Sequence, residues 1–457
     1  MLITGKYPNT HSLLYFSSLA KTLLFPLIVA TLLTGCQNLP LFSDEELPPV
    51  TSAIPEQLET LESHHFQLSP QQNIIGKLAI VDSQAHDNLP DIARHFGLGY
   101  NDITRANPVI DPWLPAAKQH ILLPLQFILP DAPHSGIVLN LANMRLFYYP
   151  EKTTNSVLTY PVGIGRQGWN TPVGLTQIIA KKNKPQWIVP DSILREHAEK
   201  NDPLPKVVPT GPDNPLGEYA MPLGFPGYLI HGTNKPYGIG MQISHGCIQL
   251  YPEDIEQLFK KSSVGMPVRI VHQPYLTAWQ GNMLYLEAHP PLEKWESQKN
   301  QLKTALLKNL KRLSAVKQIH IDWEKVDSIV ARADGVPTPI LSNSPGIAEI
   351  IANAIVLKHP QQWYGQLNVA AIGKHDLAIL AASFNQASDA HKFTAMLNHQ
   401  GPPIPARTIV NNDQFWVVAG PFKSVNDANS AIHRIKINFE MDAKPLSTNN
   451  IQISTLE

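Results

Sequence analysis

The residues best suited to chemistry stand in two short runs, His231-Gly232-Thr233 and Ser244-His245-Gly246-Cys247-Ile248-Gln249-Leu250, with twelve residues between His231 and Ser244. A thiol preceded by glycine lets the backbone come close to a bound substrate. Free cysteine titrates near ~8.5, so at neutral pH it needs a base or local donors to become a nucleophile. His231 could take the thiol proton and later give it to a leaving amine. The N–H groups around Gly246 and Cys247 could hold the oxyanion of a tetrahedral intermediate. Cys–His acyl transfer is therefore chemistry these residues can perform. Two other readings use the same side chains: an inert buried thiol, or a zinc ion held by His231, His245 and Cys247. The polar Ser-His-Gly flank speaks against inert burial, and no fourth zinc ligand lies nearby, although a catalytic zinc needs only three. His245 alone also suits a structural role as a hydrogen-bonding prop.

These runs need a scaffold, and the pattern around them predicts one. Residues 227–233 read as a buried strand with a polar tip, which puts His231 at a sheet rim. Strands are expected at 137–141, 145–149, 156–162 and 267–271, with another opening at Thr171-Pro172-Val173-Gly174 and a dense turn cluster at 211–217. Upstream, Leu89, Ile92, Ala93 and Phe96 have helical spacing, Pro90 is tolerable in the opening turn, and Gly97 is a stop. A second short helix is expected at about 101–107 and a strand at 119–123. Beyond residue 272 the pattern turns helical, with Leu302, Leu306, Leu310 and Leu313 on one face. The last eighty residues carry a repeat: Phe384 and Phe422, Asp389 and Asp427, Ala390 and Ala428 are each 38 apart. Each copy reads as a strand, a Phe turn and an amphipathic helix, so two such units suit a small sheet with two helices on one face.

Composition narrows the function. The 457 residues hold 36 Lys+Arg against 37 Asp+Glu, a net charge of -1 that removes the electrostatic case for nucleic-acid binding. A hydrophobic fraction of 43% excludes global disorder, and 41 prolines mark a chain rich in turns and linkers. At ~150 residues per domain the length suggests about three domains. Of two cysteines, Cys36 closes an N-terminal stretch with Lys6 and Lys21, an apolar run at 23–33 and small residues before the cut, the pattern of a secretory signal. If Cys36 is modified, Cys247 is the single remaining thiol and no internal disulfide can form. Residues 36–76, rich in Pro, Ser, Glu and Gln, read as a tether.

Leu33-Thr34-Gly35-Cys36 resembles a bacterial lipobox, which implies lipidation of Cys36, and Gln37 by the same resemblance favours the outer membrane. The segment 77–126 resembles a LysM module through Asp87-Asn88-Leu89, Ile92-Ala93, Phe96-Gly97, Ile103, Ala106-Asn107-Pro108 and 121–124. That implies a βααβ unit gripping glycan, with Asn107 and Pro108 as candidate contacts. The run from Tyr228 to Leu258 resembles the active-site signature of L,D-transpeptidases of the YkuD family, in the ErfK/YbiS branch. This implies a β-sandwich at 134–272 and a helical extension at 273–345; residues 346–373 read as a helix and linker. It implies Cys247 as nucleophile, His231 as base and the Gly232 carbonyl as orienter of the imidazole. Ser244, His245 and Gly246 would shape the oxyanion pocket, and Tyr237 is a candidate channel residue.

The family reaction expels terminal D-Ala from a peptidoglycan stem peptide, leaves a thioester, and passes the acyl group to an amine. The product is a 3→3 cross-link, an attached outer-membrane lipoprotein or an exchanged D-amino acid. One peptide bond replaces another, so no cofactor, metal or nucleotide is required. Ala381-Ala382-Ser383-Phe384 and 417–422 resemble the two halves of a SPOR domain at 374–447, which implies binding of bare glycan strands and enrichment at the septum. The whole is a multidomain α+β chain, expected in the periplasm. One departure stands out: Gln249 occupies a position where the family commonly has Arg. Loss of a charge-assisted contact there would cost ~1.5–3 kcal/mol of substrate binding. The rival reading is therefore a catalytically weak or inactive, wall-anchoring scaffold.

Overall fold

The computed structural model describes residues 61–448 apart from 86, 152–154, 200–201, 400 and 412. The expected leader, Cys36 and the expected tether up to residue 60 lie outside the described residues. From residue 61 the expected tether is in fact structured. His65–Gln67 pairs with Ser156–Pro161, and Ile74–Gly76 pairs with Gln126–Ile128. Polar neighbours hide these strands in the sequence, yet Ile74 and Ile75 are each 1% exposed and make them part of the core.

Ala79–Asp82 and His120–Leu123 pair antiparallel, with helices Leu89–His95 and Tyr100–Ala106 between them. The first helix starts where Asn88 accepts the Asp91 N–H, a cap that stabilises by ~1 kcal/mol. Leu89, Ile92, Ala93 and Ile103 are all buried beneath the two strands. This unit is not self-contained. Ile355–Leu357 adds a parallel third strand beside Ala79–Asp82, and Trp363 donates its indole N–H to Asp87. The segment expected to be a helix and linker is thus a helix, Ile347–Ala352, a sheet strand and a buried aromatic anchor.

The central region has two sheets around one core. The larger runs His65–Gln67, Ser156–Pro161, Arg145–Tyr149, Gly136–Asn140, Pro267–Val271 and Gly174–Gln177. The smaller runs Lys182–Asn183, Tyr219–Pro222, Leu229–His231 and Ile248–Gln249. Leu139, Leu146 and Tyr160 from the first meet Met221, Ile230 and Ile248 from the second. Helix Pro252–Lys261 closes the core with Ile255 and Leu258.

The next region, expected to be helical, opens with a hairpin. Tyr275–Gln280 and Met283–Ala288 pair antiparallel through the two-residue turn Gly281-Asn282, with Gly281 at a φ of 58°. Gly-Asn between two alternating apolar runs is a hairpin signal that the leucine periodicity downstream overshadows. Helices Lys299–Lys317 and Trp323–Arg332 then pack Leu306, Leu310, Val326 and Ile329 on that hairpin.

The C-terminal sheet runs Ala406–Asn411, Gln414–Phe422, Leu377–Phe384 and Lys444–Leu446. Each repeat unit is a strand followed by a helix, Ala387–His399 in the first and Val425–Phe439 in the second. The repeated Ala390 and Ala428 are both buried, where their small size lets the helices lie close on the sheet.

Candidate active site

Ile230 and Ile248 face each other on the neighbouring parallel strands Leu229–His231 and Ile248–Gln249, and both are buried in the central core. Side chains alternate along a strand, so His231 and Gln249, which pair in register, project from the other face, and Cys247 directly precedes Ile248–Gln249. Two runs distant in sequence therefore meet at neighbouring strands of one sheet.

His231 is 3% exposed, and its Nδ1 lies 2.6 Å from the Gly232 carbonyl oxygen. That nitrogen donates, which leaves the lone pair on Nε2. Burial holds the imidazole down to about 4, against the pull of the Gly232 and Leu216 carbonyls, so the ring is neutral at pH 7. Cys247 is partly exposed, with Sγ 3.8 Å from the Gly227 carbonyl oxygen. Desolvation pushes its thiol up to about 11, while the Leu229 backbone draws it back down. The resting thiol and the resting imidazole are thus both neutral at pH 7.

The turn before Cys247 is held from both sides. Ser244 Oγ donates to the Cys247 carbonyl at 2.5 Å and accepts the Gly246 N–H at 3.1 Å. Thr171 Oγ1 donates to the Gly246 carbonyl at 2.8 Å and accepts the Gly165 N–H at 3.0 Å. Gly246 has a φ of 103°, and a Cβ there would come within 2.8 Å of the Tyr228 ring. Of the two amides expected to bind an oxyanion, Gly246 N–H is engaged by Ser244, which leaves that of Cys247.

His245 is a prop of an unexpected kind. Its ring stands edge-on to Trp169, with centroids 4.8 Å apart, and its Nε2 lies 2.8 Å from Glu196 Oε2 and 2.9 Å from Arg166 Nη2. Glu196 sits on helix Asp191–Glu199, and Arg166 directly follows strand Ile164–Gly165. Neither was foreseen, because they lie 49 and 79 residues from His245 and no local spacing links them. The zinc reading does not fit this geometry: His245 is turned to Glu196 and Arg166, and no three of His, Cys, Asp and Glu converge as a metal cluster among the described residues.

The other expected site residues divide. Gln249 is 5% exposed, packed beside Gly163, and its Oε1 is buried without a hydrogen-bond partner. It forms part of the floor of the site and not an open contact. Tyr237 is half-buried on the short turn Pro236–Gly238, near enough to Arg434 of the C-terminal domain for the two to interact electrostatically. Asn107 is no glycan contact: it is 6% exposed, donates to the Ile103 and Leu122 carbonyls and accepts the Leu122 N–H, each at 2.8 Å. Its amide is fully engaged in joining helix to strand, whereas Pro108 is exposed.

Residues 134–270 match the YkuD family, the L,D-transpeptidase catalytic domain, and residues 376–443 match the SPOR domain. The chain is 39% identical over 250 residues to the probable L,D-transpeptidase YbiS of Escherichia coli (strain K12), an alignment covering 54% of this chain and 80% of that one. It is 37% identical over 288 residues to the probable L,D-transpeptidase ErfK/SrfK of Salmonella typhimurium, covering 62% and 93%. With the sheet, the turn and the catalytic-domain match in the same residues, this chain belongs to the L,D-transpeptidases and carries a SPOR domain at its C-terminal end.

Proposed function

We propose that Cys247 is the nucleophile of a peptidoglycan transpeptidase and His231 its general base. The observation that carries this is the Nδ1–H bond of His231 to the Gly232 carbonyl, which leaves Nε2 as a proton acceptor on the strand beside the one that Cys247 opens onto. As Sγ attacks the carbonyl carbon of a stem peptide, its proton moves to Nε2, because a thiol raised to about 11 carries little thiolate beforehand. The Cys247 N–H receives the developing oxyanion. When the C–N bond breaks, the imidazolium returns that proton to the departing amine, and a thioester remains. An acceptor amine then attacks the thioester, loses its proton to Nε2, and the thiol is restored as the C–S bond breaks.

The same reading assigns glycan binding to the SPOR domain and to the βααβ unit, and an envelope location through lipidated Cys36. The test is direct. The full chain is incubated with a tetrapeptide donor and its intact mass is measured. A thioester on Cys247 with release of the terminal residue, absent in Cys247→Ala, supports the enzyme. No adduct on the wild-type chain would favour the wall-anchoring scaffold.

A further inference from the structure

Gln249, two residues after Cys247, has its side chain buried, yet a guanidinium stands beside the nucleophile's turn from another direction. Arg166 N–H donates to the Ser244 carbonyl at 2.9 Å, and strand Ile164–Gly165 runs parallel to Gln242–Ser244. The backbone of Arg166 is thus locked to the Ser-His-Gly-Cys run. Its side chain makes every one of its polar contacts through a single nitrogen. Nη2 reaches Glu196 Oε1 at 2.5 Å, Oε2 at 2.7 Å and His245 Nε2 at 2.9 Å.

A guanidinium carries five N–H donors. Those on Nε and Nη1 have no hydrogen-bond partner among the described residues, and the side chain is 29% exposed. Glu196 and His245 hold the group through Nη2, and Nε and Nη1 are left unengaged. A cation with unengaged donors, held against a catalytic turn, is built to receive an anion.

We infer that Arg166 is the specificity-determining residue that binds a carboxylate of the donor peptide. This rests on the acyl-transfer reading above. The ligand chemistry is a carboxylate within a residue or two of the scissile bond, either the terminal one of the leaving residue or a side-chain one on the residue that is acylated. A role confined to holding Glu196 and His245 would lower activity on all donors alike.

The experiment uses the full chain and three synthetic tetrapeptide donors: the free acid, the C-terminal amide and the side-chain amide at the third residue. Thioester formation is followed by intact mass for wild type, Arg166→Gln and Arg166→Lys. Wild type should prefer the free acid over one of the amides on the order of 10- to 100-fold, the equivalent of a charge-assisted hydrogen bond. Which amide is disfavoured names the carboxylate. In Arg166→Gln that preference should vanish, mostly through KM, and Arg166→Lys should restore part of it. A free-acid preference unchanged in Arg166→Gln overturns the inference, however slow the variant. Binding of the same donors to Cys247→Ala, with and without Arg166→Gln, keeps the two readings apart. A carboxylate preference lost with Arg166 there supports the inference even if no thioester forms on the wild-type chain.

Discussion

Two buried histidines of this chain show how opposite functions follow from what each ring nitrogen meets. In the catalytic sheet, Nδ1 of His231 donates to the Gly232 carbonyl and burial drives the ring's pKa down to about 4. Where the C-terminal domain touches the βααβ unit, His399 has an acceptor at each nitrogen. The Ala395 carbonyl lies 2.7 Å from Nδ1, and the Asp91 carboxylate lies 2.8 Å from Nε2. A neutral ring can donate to one of them, whereas an imidazolium donates to both. Burial alone would lower the pKa of His399, but Asp91 and the Ala395 carbonyl outweigh it and the repulsion of Arg94, and the net shift is upward. Trp113 and the Lys392–Asp111 ion pair, at 2.5 Å, flank the same contact. One histidine is arranged to accept a proton and the other to keep one.

The largest expected effect breaks the first half of this comparison. His231→Gln should slow acylation of Cys247 by about 10²–10⁴-fold, the usual contribution of a positioned base. In the wild-type chain, the acid limb of kcat/KM for acylation should appear only as pH falls toward about 4, because the ring stays neutral above that value. Stopped-flow acylation across pH checks both; a limb near ~6.5, the ordinary histidine value, would refute the lowered pKa.

Next in size is the contact of the C-terminal domain. His399→Ala would leave the buried Asp91 carboxylate without its cation, and breaking such a pair costs ~3–5 kcal/mol. Because folding raises the His399 pKa, its stabilisation is complete below the unfolded value and is lost as pH rises through the folded one. The protection factors of amides in Ala387–His399, with the intrinsic base-catalysed exchange rate divided out, should therefore fall with rising pH in wild type. In Asp91→Asn those protection factors should stay flat across that range. His231 works in the opposite sense, losing stability as pH falls from the unfolded value toward about 4.

The smallest effect sharpens the catalytic side. Gly246→Ala puts a Cβ against the Tyr228 ring at a φ of 103°, a strain of ~1–3 kcal/mol. Urea denaturation should register that loss, and acylation should slow because the turn presenting the Cys247 N–H is displaced. An unchanged rate would mean that the turn does not position the oxyanion.

Much of this architecture is legible in the sequence where its cause is local. The βααβ helices follow from apolar spacing and the Asn88 cap, and the C-terminal units follow from a 38-residue repeat. The misses have long-range causes. Ile355–Leu357 is a strand because Ala79–Asp82 offers it an edge. Residues 65–67 are a strand because Ser156–Pro161 does the same. The hairpin at 275–288 was the exception, since its Gly-Asn turn was there to be read.

The sequence by itself determined which side chains can do chemistry: Cys247, His231 and the glycine that lets the chain turn beside the thiol. Type and near-neighbour spacing suffice for that, because nucleophilicity, basicity and backbone freedom are properties of residues. The folded chain alone decided their states. It buried Gln249, engaged Gly246 N–H with Ser244, brought Arg166 and Glu196 to His245, and set one histidine neutral and another against two acceptors. Desolvation and hydrogen-bond geometry depend on atoms brought together from distant parts of the chain, and no local pattern encodes them.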